Sequence, residues 1–240
     1  MPIGTNKGRI DWRRPCKAAV DRATGPPLDH EALCLDEAAP YHHGLLRKAL
    51  LDAAERILEE NGIQGLTLRA AAREAGVSHA APKNHFGDLS GLLSELAARG
   101  FERLATMMVS DIRERDSPAQ RMETIGRGYV AFARAHTGMF LLMFRSERLD
   151  MSRPVLRDAA QAAGRVLGDA VAARRGEEGG QVLTLQQAAG VAGAWSLVHG
   201  FAMLLLDGRL KPIVARMPIG TSADMLLDAI LTGPRFNRRA

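Results

Sequence analysis

The sequence predicts an all-α protein, with a three-helix helix-turn-helix unit towards the N-terminus and a larger helical region after it. Three observations carry this. Hydrophobic residues make up 46% of the 240 positions and aromatics only 5%, and alanine, leucine and methionine dominate, which favours packed helices over sheets. Apolar positions recur at three- and four-residue steps through most of the chain. No run of alternating β-branched residues marks a strand, and no internal repeat is present. The length allows one large domain or two small ones.

Residues 1–40 are polar, of mixed charge, and broken by Pro15, Pro26-Pro27 and Pro40. They lack the continuous apolar run of a signal peptide. They read as a disordered extension or a mis-set start of translation. Alternatively they form an arm reaching a minor groove through Arg13-Arg14. Cys16 and Cys34 are the only cysteines. Two thiols make no disulfide framework, so a reducing cytoplasm is the expected location. His42-His43 has no partner at ligand spacing, so neither a metal nor a cofactor is expected.

Leu46, Leu50, Ala53, Ala54, Ile57 and Leu58 then form one helical stripe, which Asn61-Gly62 ends. Arg47 and Lys48 open that helix, where cations are mildly unfavourable; a nearby phosphate would account for them. Residues 67–86, TLRAAAREAGVSHAAPKNHF, read as two short helices about a tight turn. Thr67 can cap the first. Leu68, Ala71, Ala72 and Ala75 give it a narrow apolar face that a neighbouring helix can approach closely. Gly76 supplies a left-handed stop. Ser78 is expected to cap the second helix, with Val77 stapled on Pro82 and the proline ring bending the helix. Phe86 anchors its end and Gly87 breaks it. The second helix offers His79, Ala80, Lys83, Asn84 and His85 and no acid; lysine can meet a phosphate or a guanine edge, and asparagine an adenine.

The net charge of +5 is a poor guide to this. Between residues 40 and 105 stand eight basic side chains and eight acidic ones. Locally, however, residues 66–86 hold Arg69, Arg73 and Lys83 against Glu74 alone. Phosphate contacts need a basic face, not a basic protein.

With these residues in view, positions 46–96 resemble the DNA-binding domain of a TetR-type (TetR/AcrR) transcriptional regulator. The matching features are the first helix ending at Asn61-Gly62, then Leu66-Thr67-Leu68-Arg69, Ala72-x-x-Ala75-Gly76-Val77-Ser78, His85-Phe86 and Leu92-Leu93. The family usually carries an aromatic residue where Lys83 stands, and a lysine where Leu89 stands. Together with the polar extension read over 1–40, the resemblance implies domains over 41–100 (DNA binding) and 101–240. It implies DNA contacts from Arg47, Lys48, Thr67, Arg69, Ser78, His79, Ala80, Lys83, Asn84 and His85, on a palindromic operator read by two subunits.

Further helices are expected from Leu92 onward, after the Ser117-Pro118 restart (119–135), at 154–174, at 185–206 and at 223–231, with a loop over 176–180. The run 188–206 has no Asp, Glu, Lys or Arg and is just long enough to span a bilayer. It is expected to be buried, with the core on one side and a partner subunit on the other. Gly190, Gly193 and Gly200 would allow close contact at a dimer interface. Tyr129-Val130-Ala131-Phe132-Ala133, the run 139–144 and Trp195-x-x-Val198-His199-Gly200 resemble the C-terminal domain of a TetR subgroup bearing a Trp…His-Gly signature. That implies a C-terminal helical ligand-binding and dimerisation domain. Its expected pocket residues are Phe132, Met139, Phe140, Met143, Trp195, His199 and Met203, since methionine and aromatics suit an adaptable apolar cavity.

The resulting expectation is a homodimeric, cytoplasmic, DNA-binding regulator, a repressor released by a small apolar or amphipathic molecule. An activator of the same family is the alternative, and a membrane-associated helical protein a more distant one. No nucleophile motif or Gly-rich phosphate loop supports an enzyme built on His136, Asp150 and His199.

Overall fold

Pro40–Gly65 forms α1, and its internal break is a sequence-encoded stop: Gly62 turns to φ +67°, a conformation that only glycine adopts without strain. The computed structural model describes residues 40–177, 179–180 and 182–233. The expected extension therefore lies, apart from Pro40, outside the described residues, as do Arg13, Arg14, Cys16 and Cys34. Among the described residues there are ten α-helices, one 3-10 turn at Ser146–Arg148 and no strand.

Leu50, Ala53, Ala54, Ile57 and Leu58 of α1 are all buried. α2 (Leu68–Glu74) and α3 (Ala81–Phe86) pack on α1 and on each other. α4 (Leu89–Val109) begins at Asp88, whose Oδ1 accepts from Gly91 N at 2.8 Å. It packs on α1 and α3, and also on α5 (Pro118–Ala135), α6 (Thr137–Met143) and α7 (Pro154–Arg175). A boundary at residue 100 thus falls inside one continuous helix that serves both regions. α5 starts on a capping box, with Ser117 and Gln120 satisfying each other's backbone N–H; Pro118 occupies the first turn, where its missing donor costs nothing.

α8 (Leu185–Leu206) also begins on a capping box, Thr184 with Gln187. It is followed by the short α9 (Lys211–Val214), which the sequence did not announce, and by α10 (Ala223–Thr232). The burial expected of α8 is not met within the chain: only Val198, Phe201 and Ala202 are buried. Its other side, with Leu185, Ala189, Ala192, Gly193 and Ser196, faces solvent. Gly190 is turned inward, where a Cβ would lie 3.0 Å from Val171, whereas a Cβ on Gly193 or Gly200 would meet nothing within 4 Å. So one of the three glycines serves packing on α7, and two are left on open space. Among the described residues α8 is the one helix long and apolar enough to cross a membrane.

Candidate nucleic-acid interface and ligand cavity

The turn between α2 and α3 is built locally. Thr67 Oγ1 accepts from Ala70 N at 3.0 Å and starts α2. Gly76 ends it at φ +68°, and Val77 N reaches back to the Ala72 carbonyl at 3.0 Å. Ala71, Ala72, Ala81 and Phe86 are buried, which fixes the two helices against α1. Burying a phenylalanine is worth about 1.5–3 kcal/mol.

The second helix opens later than expected. Ser78 caps no helix: its carbonyl closes a turn to Ala81 N at 3.1 Å, His79 and Ala80 form that turn, and α3 begins at Ala81 without a side-chain cap. Pro82 decides this. A helix starting after Ser78 would need the N–H that proline lacks, whereas at the second position of α3 no helical bond is lost. The ring therefore sits in the first turn and does not bend the helix interior.

Thr67, Arg69, Ser78, His79, Ala80, Lys83 and Asn84 are exposed on this unit, and His85 is half-buried. Glu74, the local acid, pairs with Arg56 at 2.9 Å. No acidic side chain among the described residues pairs with Arg69, Arg73 or Lys83, so these cations stay available to a polyanion. Arg47 and Lys48 are placed differently. Arg47 pairs with the buried Glu95 and lies 5.7 Å over the Phe86 ring, and Lys48 pairs with Asp52 at 2.7 Å. Both are engaged within the chain, and neither opens the helix as the sequence suggested: α1 begins at Pro40, so they stand in its interior.

Behind this unit lies a cavity of about 450 Å³ among α4, α5, α7 and α8. Its walls include Phe101, Met108, Met122, Tyr129, Met143, Phe144, Leu149, Met151, Leu167, Trp195 and Val198, and none of the lining residues carries a charge. Met143 and Trp195 are thus on the wall. Phe132, Met139 and Phe140 are not; they are fully buried core, because at those positions α5 and α6 face other helices. Met203 also lies off the wall and packs against the core. His199 stands just outside, joined to the wall by Tyr129. Trp195 Nε1 donates to Tyr129 Oη at 3.3 Å, and Tyr129 Oη lies 2.9 Å from His199 Nδ1. His199 is enclosed by Phe140, Phe144 and Trp195 at centroid distances of 5.5, 4.6 and 6.0 Å. Burial holds its pKa below the usual histidine value, and burial pushes the Tyr129 hydroxyl up. Sequence reasoning missed Met108, Met122, Tyr129 and Phe144 as wall residues; their helical spacing showed burial but not which side of each helix adjoins empty space.

Two family models match the chain. Residues 50–96 match "Bacterial regulatory proteins, tetR family" and residues 122–230 match "Tetracyclin repressor-like, C-terminal domain". A curated relative, the uncharacterized HTH-type transcriptional regulator YobS of Bacillus subtilis (strain 168), is 31% identical over 97 residues, 40% of this chain. The match spans half the length of that relative. Among solved structures, a protein of unknown function from Rhodococcus sp. RHA1 is 33% identical with a TM-score of 0.64, covering 80% of this chain and 95% of that one. A protein from Shewanella sp. PV-4 described as a tetR family transcription regulator shares the fold at 18% identity, with a TM-score of 0.57 over 78% of this chain and 95% of that one. With a helix-turn-helix matching the one model and the helical region around the cavity matching the other, the chain belongs to the TetR family of transcriptional regulators.

Proposed function

We propose that this regulator is a repressor that binds a palindromic operator as a homodimer and is released when an uncharged, largely apolar small molecule fills the cavity. The observation that carries the reading is one chain holding both an acid-free α3 with Lys83 exposed beside Arg69 of α2 and an apolar cavity walled in part by α4, the helix that follows α3. α3 is the recognition helix, with Lys83 and Asn84 on its exposed side and Arg69 from α2 alongside. The unpaired cations fit phosphate contact. The cavity supports an uncharged ligand, because burying a charge against these walls without a partner is costly. The open side of α8 supports a homodimer: a stripe of leucine, alanine and glycine facing solvent is an apolar patch that calls for a partner, and small residues permit close helix contact. The reading places the protein in the cytoplasm, as is general for TetR-type regulators.

In a repressor of this kind the ligand favours an arrangement whose recognition helices no longer match half-sites about 34–36 Å apart. It can shift the equilibrium only by its differential affinity for the two arrangements. Footprinting on the DNA flanking its own gene tests the operator. Lys83→Ala is expected to weaken operator binding without changing the far-ultraviolet dichroism, and to lower the salt slope of log K by about one. An unchanged Kd at matched salt would remove Lys83 from the interface.

A further inference from the structure

One short segment touches both the cavity and the recognition helix. Between the 3-10 turn at Ser146–Arg148 and α7, Leu149 and Met151 line the cavity. The polar residues of the same segment turn the other way. Asp150 N donates to Ser94 Oγ of α4 at 2.8 Å. Arg153 Nη2 donates to the carbonyl of Phe86, the last residue of α3, at 2.9 Å. Its guanidinium also faces the buried carboxylate of Glu95 at 3.9 Å and that of Asp150 at 3.4 Å. Glu95 in turn holds Arg47 of α1, which lies over the Phe86 ring.

The fit leaves little slack. A Cβ on Gly91 would stand 2.0 Å from the Phe86 carbonyl oxygen and 2.5 Å from Arg153 Nη2. Only glycine lets α4 pass this close to the bond. The orphan carbonyl at the end of a helix needs a donor, and here it comes from outside the helix-turn-helix. A cation at a helix C-terminus also opposes the helix dipole favourably.

We infer that Arg153 is a positioning residue for DNA binding: it holds the C-terminal end of α3 in place, and through Leu149 and Met151 its segment makes that hold depend on what fills the cavity. This rests on the reading of the cavity as the effector site and of α3 as the recognition helix. A molecule that displaces Leu149 or Met151 moves the segment on which Arg153 sits, and the Phe86 carbonyl loses its donor or shifts with it. Packed segments of this kind move between discrete arrangements and do not yield continuously.

A double-mutant cycle in the full chain tests this without the natural ligand. The parent first selects its duplex from a randomised DNA pool. Kd for that duplex is then measured for Arg153→Met, for Met151→Trp, which enlarges the half-exposed wall residue, and for both together. Each single variant is expected to weaken binding by roughly two- to thirtyfold. The double variant is expected to be no weaker than the weaker-binding single one. Fold-changes that multiply, as for independent sites, would overturn the inference, as would an unchanged Kd for Arg153→Met.

Hydrogen exchange separates positioning from general support. In Arg153→Met the Gly87 amide, bonded to the Lys83 carbonyl at 2.8 Å, should exchange faster while α10 amides keep the parent rate; acceleration throughout would show only a loss of stability. Arg153→Lys keeps the charge and one donor and should recover part of the affinity. It replaces Arg153→Met in the cycle, under the same criteria, if the latter does not fold. A parent that selects no duplex overturns the functional reading and the inference together, whereas a DNA-binding parent with independent variants overturns the inference alone.

Discussion

Tyr129 Oη sits between two nitrogens: Trp195 Nε1–H, which can only donate, at 3.3 Å, and His199 Nδ1 at 2.9 Å. Burial beside this pair disfavours the charged imidazolium and holds the His199 pKa below the usual histidine value. The sign of the pH effect follows from linkage. As pH falls below about 6.5, the ordinary histidine value, the unfolded chain takes up a proton that the folded chain does not, so stability contributed by neutral His199 is lost as acid is added. Urea midpoints measured from pH 7 to pH 5 should fall less steeply for His199→Gln than for the parent. Equal slopes would show that His199 titrates alike in both states. Two carboxylates act on the same side of the balance. The bond from Lys48, followed by Arg99, keeps Asp52 below the usual range despite some desolvation. Burial pushes Glu55 up, but Arg103 and Arg99 outweigh it. Their contributions are present above the ordinary carboxylate range and are lost as pH falls through it.

At the scale of the element, α2 and α3 are too short to persist alone, since isolated helices under about 12–15 residues are marginal in water. Their stability comes from caps and from the core they cover. Thr67 provides the one side-chain cap of the pair. Thr67→Ala is expected to cost about 1 kcal/mol, read as a lower urea midpoint at unchanged m-value, with secondary structure retained below the transition. A loss well under that, about 0.2 kcal/mol, would mean that water replaces the hydroxyl. The element scale also explains the late start of α3. Propensity allowed a helix from Ser78 onward, yet the missing N–H of Pro82 set the register, and with it the placement of His79 and Ala80 on a turn ahead of Lys83 and Asn84.

At the scale of the molecule, α8 is the unresolved face. A 22-residue helix whose most apolar 18-residue stretch has mean hydropathy 1.6 and is only 17% buried does not suit a solitary chain in water. Pairing through Ala192, Gly193 and Ser196 would remove that surface. Ala192→Glu leaves the chain's own core untouched, because Ala192 is exposed. It puts a charge into the proposed interface, where desolvation is costly. The expected result is a dimer dissociation constant raised on the order of a hundredfold or more, seen as a monomer by sedimentation at micromolar concentration. The same dimer as the parent would place the subunit contact elsewhere.

By itself the sequence determined most of the helix inventory, though not the short α9, and the helix-turn-helix unit. Thr67, Gly76, Gly87 and Ser117-Pro118 act through local chemistry, in caps, left-handed turns and absent donors, and local chemistry is written in adjacent residues. The apolar stripe of α1 was legible for the same reason. Only the tertiary structure decided what long-range packing controls. It placed Met143 and Trp195 on the cavity wall but Phe132 and Phe140 in solid core, although all four read alike as apolar helix positions. It tied Arg47 to Glu95 and left Lys83 without an acidic partner among the described residues. It turned Gly190 inward and Gly193 outward on one helix. Above all it brought Arg153 to the carbonyl of Phe86, 67 positions earlier, a contact between remote groups that periodicity and spacing do not encode.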